Sequence, residues 1–346
     1  MENLEPIQRL LHAELPDSWI NFRDMASVRS HVASYGEFTE IGQSRSGQEM
    51  VGYSFGTGVR KVSVIGGSHA DEPMGPMTAQ ILVEAIGEFA PHLLDAFTFY
   101  VVPQMNPDGS DANRPWFHDP VDFKAYAKQA IREQPGDDIE FGFSTPGLRP
   151  ENNAAMGYLK GHGPYDAHFS LHGMGFAEGA WFLIHEDWIS RTAELQDMLT
   201  CCCAARNVGF HDIDRKGLKG FTRIAPGFCS TPNHNAMRAF FEAEDDLEMA
   251  AKFHPSSMEW VTSLGGGPLC MVSEMPLFLI DGSDSTLGDP VLFRFRDDLI
   301  EARAAGTDAA LDALIEKHSV ESFPLKEHMR YQLLMVVGAL EMLSRR

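Results

Sequence analysis

The sequence predicts an α/β fold, a three-layer sandwich whose central sheet is mixed, mostly parallel and twisted, with helices on both sides. Three observations predict it. Short apolar runs with strand character recur along the chain. Helical patterns separate them, as in layered α/β folds. One run, FTFYVV (97–102), is apolar without interruption, as expected of a strand covered on both faces.

The elements follow in order. Residues 6–14 and 24–34 have helical spacing. EMVGYSF (49–55) and KVSVIG (61–66) read as strands. Met74, Met77, Ile81, Ala85 and Phe89 recur at helical intervals, with Pro73 suited to the first turn of one continuous helix. Residues 103–150 are rich in Pro, Gly and Asp and read mostly as loop, with a short helix at 121–133. ENNAAMGYLKGHG reads as a helix, AHFSLH and AWFLIH as strands. Helices are expected near 187–206, 232–252 and 256–263, and a strand at PLCMVSEM (268–275). The chain from about 290 onward reads as a helical extension. No linker or repeat divides residues 1–346, so one domain is expected.

Composition narrows the function classes. The chain has 346 residues, 44% of them hydrophobic, and a formal net charge of -21. Such acidity argues against a nucleic-acid partner, because phosphate binding needs clustered Lys and Arg. The five cysteines form no CxxC pair and no framework spacing. That pattern suits free thiols in a reducing compartment, and a cytoplasmic location is expected. The adjacent Cys201, Cys202 and Cys203 read as packing residues on a helix. The N-terminus does not read as a signal peptide. The apolar run YQLLMVVGALEML is shorter than the ~20 residues a membrane span needs, so it reads as a buried helix and no membrane partner is expected.

In open α/β sheets, functional residues gather beyond the carboxyl ends of strands. Four stretches fit. His69 and Glu72 follow the strand 61–66, and the run NPDGSDANRPW (106–116) follows the strand 97–102. His172 ends AHFSLH, and Glu274 ends PLCMVSE. Neutral imidazoles with a carboxylate suit a catalytic zinc, and a separate carboxylate can take a proton from water. Glu274 stands out alone, since a buried carboxylate without a partner costs several kcal/mol, roughly.

Together these stretches resemble the zinc metallocarboxypeptidases, the carboxypeptidase A-like group, over about residues 35–280. GGSHADEPMG resembles the family's HxxE segment, which implies His69 and Glu72 as zinc ligands. SLHG resembles the third-ligand segment and implies His172. SSMEWVTSLGGGPLCMVSE resembles the approach to the catalytic glutamate and implies Glu274. NPDG and DANRPW resemble two signatures fused into one run. That match implies Asn113 and Arg114 as holders of the substrate's terminal carboxylate, with Asp111 orienting His69. Met258 matches a position that reads the terminal side chain, although an apolar gap-filler is an equal reading.

The chain also departs from the pattern. Asp71 stands inside the HxxE where pancreatic-type members carry Arg. No residue matches the arginine that polarises the scissile carbonyl. No Tyr lies between His172 and Glu274, leaving Phe253 or His254 as candidates for the space of the capping tyrosine. The resemblance therefore implies a zinc-dependent hydrolase cleaving an amide next to a free carboxylate. The first reading is a carboxypeptidase. The alternative is an amidohydrolase acting on N-acyl amino acids or cell-wall stem peptides. A non-catalytic metal-binding scaffold is a third reading, against which Glu274 stands. Other features take plain readings: DGSDSTLGD (281–289) as a loop, and His211–Asp212 as a local ion pair.

Overall fold

The computed structural model describes residues 5–345. The first four residues of the signal-peptide reading and the last residue of the expected helical tail lie outside that range. The strands are β1 (Glu37–Gln43), β2 (Glu49–Phe55), β3 (Arg60–Gly66), β4 (Phe97–Val102), β5 (Ala167–Ala177), β6 (Trp181–Ile184), β7 (Arg223–Ala225), β8 (Phe228–Ser230), β9 (Leu269–Leu279) and β10 (Glu321–Ser322). They form one mixed sheet in the order β1-β2-β4-β3-β5-β9-β6-β8-β7, with β10 paired to β9. The middle of the sheet, β4-β3-β5-β9, is parallel, as is β6–β8. The pairs towards the edges are antiparallel.

Strand alternation sends side chains to two cores. Val62, Val64, Phe97, Phe99, Val101, Phe169 and Leu171 face one layer of helices. Ile65 and Val102 face the other, with Leu159, Trp260 and Val261 from the helices Pro150–His162 and Ser257–Ser263. This is the flanked mixed sheet that the sequence predicts.

The apolar run YQLLMVVGALEML lies within the helix Leu325–Ser344, buried along nearly its whole length in the larger core. It also braces the functional end of the sheet. Thr78 donates to Gln332 Oε1 at 2.5 Å, and Gln332 Nε2 donates to the carbonyl of His172 at 2.9 Å. Cys202 and Cys203 are buried on the helix Ala193–Ala205, while Cys201 is exposed.

Local expectations fail at several places, among them the tail expected to be helical from about 290, which holds β10, and the helix expected near 232–252, which divides into His234–Ala243 and Leu247–Ala250. The helix predicted from Met74 to Phe89 breaks into Met74–Gln80 and Leu82–Phe89 at Ile81, whose backbone (φ -103°, ψ 7°) leaves the helical region. The stretch 103–150 holds a second helix, Pro107–Asn113. Asn106 caps it by accepting from the Gly109 amide at 3.0 Å, and Pro107 occupies the first turn. The three-residue strands β7 and β8 were too short to show a period. Among the described residues no helix is long and apolar enough to cross a membrane.

Candidate active site

The site forms beyond the end of β3 and beside the middle of β5. After β3 the chain turns sharply through Gly67, whose φ of +78° belongs to the left-handed region that favours glycine. The helix Met74–Gln80 then presses so close to β5 that a Cβ on Gly75 would lie 1.9 Å from the Leu171 carbonyl oxygen. The turn between them carries His69 and Glu72 and is thereby held against β5 beside His172, which lies in the middle of that strand rather than at its end, as Glu274 does on β9. The register places His172 beside Glu274 on β9, and Glu274 opposite Trp181 on β6. Paired residues on neighbouring strands share a face, so His172 and Glu274 leave the sheet on the same side.

His69, Glu72 and His172 offer donor atoms within 4.8 Å of one another. His69 Nδ1 lies 2.9 Å from Glu72 Oε1 and 3.1 Å from His172 Nδ1. His172 Nδ1 is 3.0 Å from Glu72 Oε2. A tetrahedral ion with bonds of about 2.0–2.1 Å needs donors about 3.3 Å apart, within a few tenths of this spacing. The outward nitrogens complete the fit. His69 Nε2 faces Asp138 and His172 Nε2 faces Glu140, each at 3.3 Å. Those carboxylates draw the ring protons outward and turn both Nδ1 lone pairs inward, the arrangement usual for ligating histidines. The residues present therefore fit a divalent metal such as zinc.

Glu140 is itself held tightly. It accepts from Ser257 Oγ at 2.6 Å, from the Ser257 amide at 3.1 Å and from Ser68 Oγ at 3.0 Å. Burial raises Glu274 to about 8, and the neighbouring Glu72 adds to that. A carboxyl in this range suits proton transfer near neutral pH.

Arg132 enters from the loop after the helix Phe123–Gln129. It donates to Glu72 at 2.7 Å, to Asp71 at 3.1 Å and to His69 Nδ1 at 3.0 Å. Around it opens a cleft of about 320 Å³, lined among others by Tyr126, Trp181, Arg215, Glu274 and Arg296. Tyr126 donates to Asp71 at 3.2 Å.

The structure does not bring Asn113 and Arg114 to this cleft. Asn113 is buried, and its amide is spent on the fold. It donates to the carbonyls of Gly109 and Ile131 and accepts from the Ile131 amide and Trp116 Nε1. Arg114 turns the other way, onto the Phe22 carbonyl at 2.7 Å and Asp111 at 2.9 Å. Asp111 accordingly does not reach His69, and Asp138 stands there instead. The helix Pro107–Asn113 explains the change, since it carries this run away from the ligands. Met258 packs in a core with Trp181, Leu183 and Cys270. Phe253 stacks on Phe241, outside the cleft. His211 pairs with Glu178 at 2.6 Å rather than with Asp212, which holds Arg223.

Sequence reading missed Arg132, Asp138 and Glu140. They sit in IREQPGDDIEF, which has no period, and its alternating Asp138 and Glu140 are the one signal it offers.

Known proteins resemble the chain in family pattern and in fold. Residues 24–175 match the model of the zinc carboxypeptidase family. No curated protein matches the chain. Solved structures share the fold. A Burkholderia mallei protein provisionally described as a carboxypeptidase is 15% identical, with a TM-score of 0.52 over 93% of this chain and 67% of that one. Bovine thrombin-activatable fibrinolysis inhibitor, solved with a tick carboxypeptidase inhibitor, is 12% identical, with a TM-score of 0.50 over 95% of this chain and 100% of that one. Another structure of a thrombin-activatable fibrinolysis inhibitor is 11% identical, with a TM-score of 0.53 over 100% and 83%.

Proposed function

We propose, from the match of residues 24–175 to the zinc carboxypeptidase family model, that this chain is a zinc-dependent hydrolase cleaving an amide bond next to a free carboxylate. In this reading it is a carboxypeptidase that releases a C-terminal residue. His69, Glu72 and His172 would hold one zinc ion. When bound, it would supply Lewis-acid polarisation and lower the pKa of water at the site towards neutral. Glu274 accepts the water's proton and delivers it to the departing nitrogen. Arg132, beside the ligands, donates to the oxygen that gains charge as the carbonyl is attacked. Asn113 and Arg114, held by the fold and turned away from the cleft, have no part in substrate binding in this reading.

The observation that carries the reading is the convergence of three side chains, two imidazole nitrogens and both oxygens of Glu72, at 2.9–3.1 Å, with a carboxylate behind each imidazole and Glu274 one strand away. A second reading has a specific observation in its favour. The cleft, at about 320 Å³, is at the small end for ligand sites, which suits an N-acyl amino acid or a short cell-wall stem peptide. The test is mass spectrometry of a mixed pool with the zinc-loaded chain, using Glu274→Gln as the blank. The pool holds C-terminally varied peptides, stem peptides and N-acyl amino acids. Loss of single C-terminal residues supports the carboxypeptidase. Cleavage of only the small amides moves the chain to the second reading. Absence of any Glu274-dependent product sinks both and leaves a metal-binding scaffold.

A further inference from the structure

The cleft holds more positive charge than the chemistry above uses. Arg132 is satisfied by Asp71 and Glu72. Arg215 and Arg296 line the same cavity, and among the described residues neither forms an ion pair or a hydrogen bond to any acceptor. Arg215 lies with its guanidinium 4.4 Å from the centre of the Phe221 ring, which fixes it in place, yet its Nε is buried without a partner. Two neighbouring polar atoms on the cleft wall are buried and unpartnered as well, Trp181 Nε1 and His211 Nε2. Leaving such groups unpaired is costly in a folded chain. Of these, Arg215 Nε and Trp181 Nε1 are donors, and together with the unpaired Arg296 guanidinium they point to a ligand with several acceptor oxygens.

Burial weakens the hold of Arg215 and Arg296 on their protons, and repulsion adds to it, from Arg296 on Arg215 and from Arg132 on Arg296. Glu274 and Glu178 act on them only at a distance. An anion between the two guanidinium groups relieves that repulsion. A single carboxylate leaves one guanidinium unused, whereas a planar fork suits one carboxylate each.

We propose that Arg215 and Arg296 form a subsite for a dianionic leaving group, so that the residue released is acidic, a C-terminal Glu or Asp or the corresponding N-acyl amino acid. One guanidinium binds the α-carboxylate and the other the side-chain carboxylate. The bond chemistry is ordinary hydrolysis. The water oxygen bonds to the acyl carbon, the C–N bond breaks, and a water proton moves to the departing nitrogen. The inference rests on the hydrolase reading for its reaction, and on the two unpaired arginines alone for its specificity.

The test uses the zinc-loaded full chain on acetyl-Ala-Ala-Glu, acetyl-Ala-Ala-Asp, acetyl-Ala-Ala-Leu, acetyl-Ala-Ala-Lys and acetyl-Glu. The acidic substrates are expected to exceed the Leu peptide in kcat/KM by roughly tenfold or more, the scale of one charge-assisted pair. Arg296→Gln, on the outer side of the helix Val291–Ala305, is expected to bring that ratio close to one. Arg215→Lys is the second variant. A preference for Leu or Lys, or an unchanged ratio in Arg296→Gln, overturns the inference while leaving the hydrolase reading intact. Cleavage of the tripeptides or only of acetyl-Glu tells the peptide source from the acyl amino acid. Calorimetric titration of glutarate and butyrate into the Glu274→Gln chain decides the inference even where no substrate turns over. Glutarate must bind more tightly, and Arg296→Gln must remove that advantage. Equal binding overturns it.

Discussion

The carboxylates behind the ligating histidines are the most exposed part of the argument to test. Glu140→Gln keeps the size of the side chain and an oxygen to accept from the Ser257 amide and hydroxyl, at 3.1 and 2.6 Å. What it removes is the negative charge 3.3 Å from His172 Nε2. Asp138→Asn does the same for His69, also at 3.3 Å. Outer carboxylates of this kind typically contribute 10- to 100-fold to metal affinity. These contacts are long, so the lower end applies, about tenfold or ~1.4 kcal/mol for each variant. The two act on different rings, so the double variant is expected near a hundredfold, about 2.7 kcal/mol. Competition for zinc against a chromophoric chelator measures the dissociation constants. Circular dichroism of the metal-free chains shows that both variants are folded. Folded single variants that bind zinc within twofold of the unaltered chain refute the reasoning, because the Nε2 contacts then do nothing to the Nδ1 lone pairs.

Three further outcomes are expected. Glu274→Gln should lower amide hydrolysis by roughly 100- to 10,000-fold, the usual worth of a positioned proton carrier, while zinc affinity stays within a few-fold. Joint loss of both would make Glu274 a ligand rather than a base. Asn113→Ala should destabilise the chain by about 2–3 kcal/mol, because it leaves buried partners unpaired, without changing KM in the folded fraction. A raised KM with unchanged unfolding would restore its role in substrate binding. His168 accepts from Ser63 at 2.8 Å and contacts Ser257 at 3.3 Å, and burial pulls it from 6.5 down to about 4. The unfolded chain therefore takes up that proton first. The stability is complete above pH 6.5 and is lost as the pH falls towards 4, by about 2 kcal/mol between pH 7.5 and 5. Urea unfolding at the two pH values should show this loss shrink by that amount in His168→Gln. An equal loss in both chains excludes His168 as its source.

The parts of the site that the sequence made legible share one property: each is a polar side chain that follows or interrupts an apolar strand pattern. His69 and Glu72 follow KVSVIG, His172 ends AHFSLH, and Glu274 ends PLCMVSE. Both strands run on past these residues, to Ala177 and Leu279, and the sheet register brings His172 and Glu274 side by side, so polar interruptions within neighbouring strands become proximity. Asn113 and Arg114 also follow a strand, FTFYVV, yet they miss the cleft. Asn106 caps a helix immediately after that strand, and less than two turns of helix are enough to aim Arg114 at the Phe22 carbonyl instead. A motif match fixes residue types in order, but the direction of a side chain depends on a capping hydrogen bond that the match does not contain. The remaining cationic groups were beyond any local pattern. Arg132 lies in a loop without period, Arg215 in another, and Arg296 on the outer side of a helix within the expected C-terminal extension. Only the folding of that extension against the sheet brings Arg296 within one cavity of Glu274. The substrate end of the site is therefore built from segments far apart in sequence, the last of them past the matched residues 24–175. Conversion of Arg296 alone is thus expected to change which amide is chosen while the metal centre, assembled from β5 and the turn after β3, stays as it is.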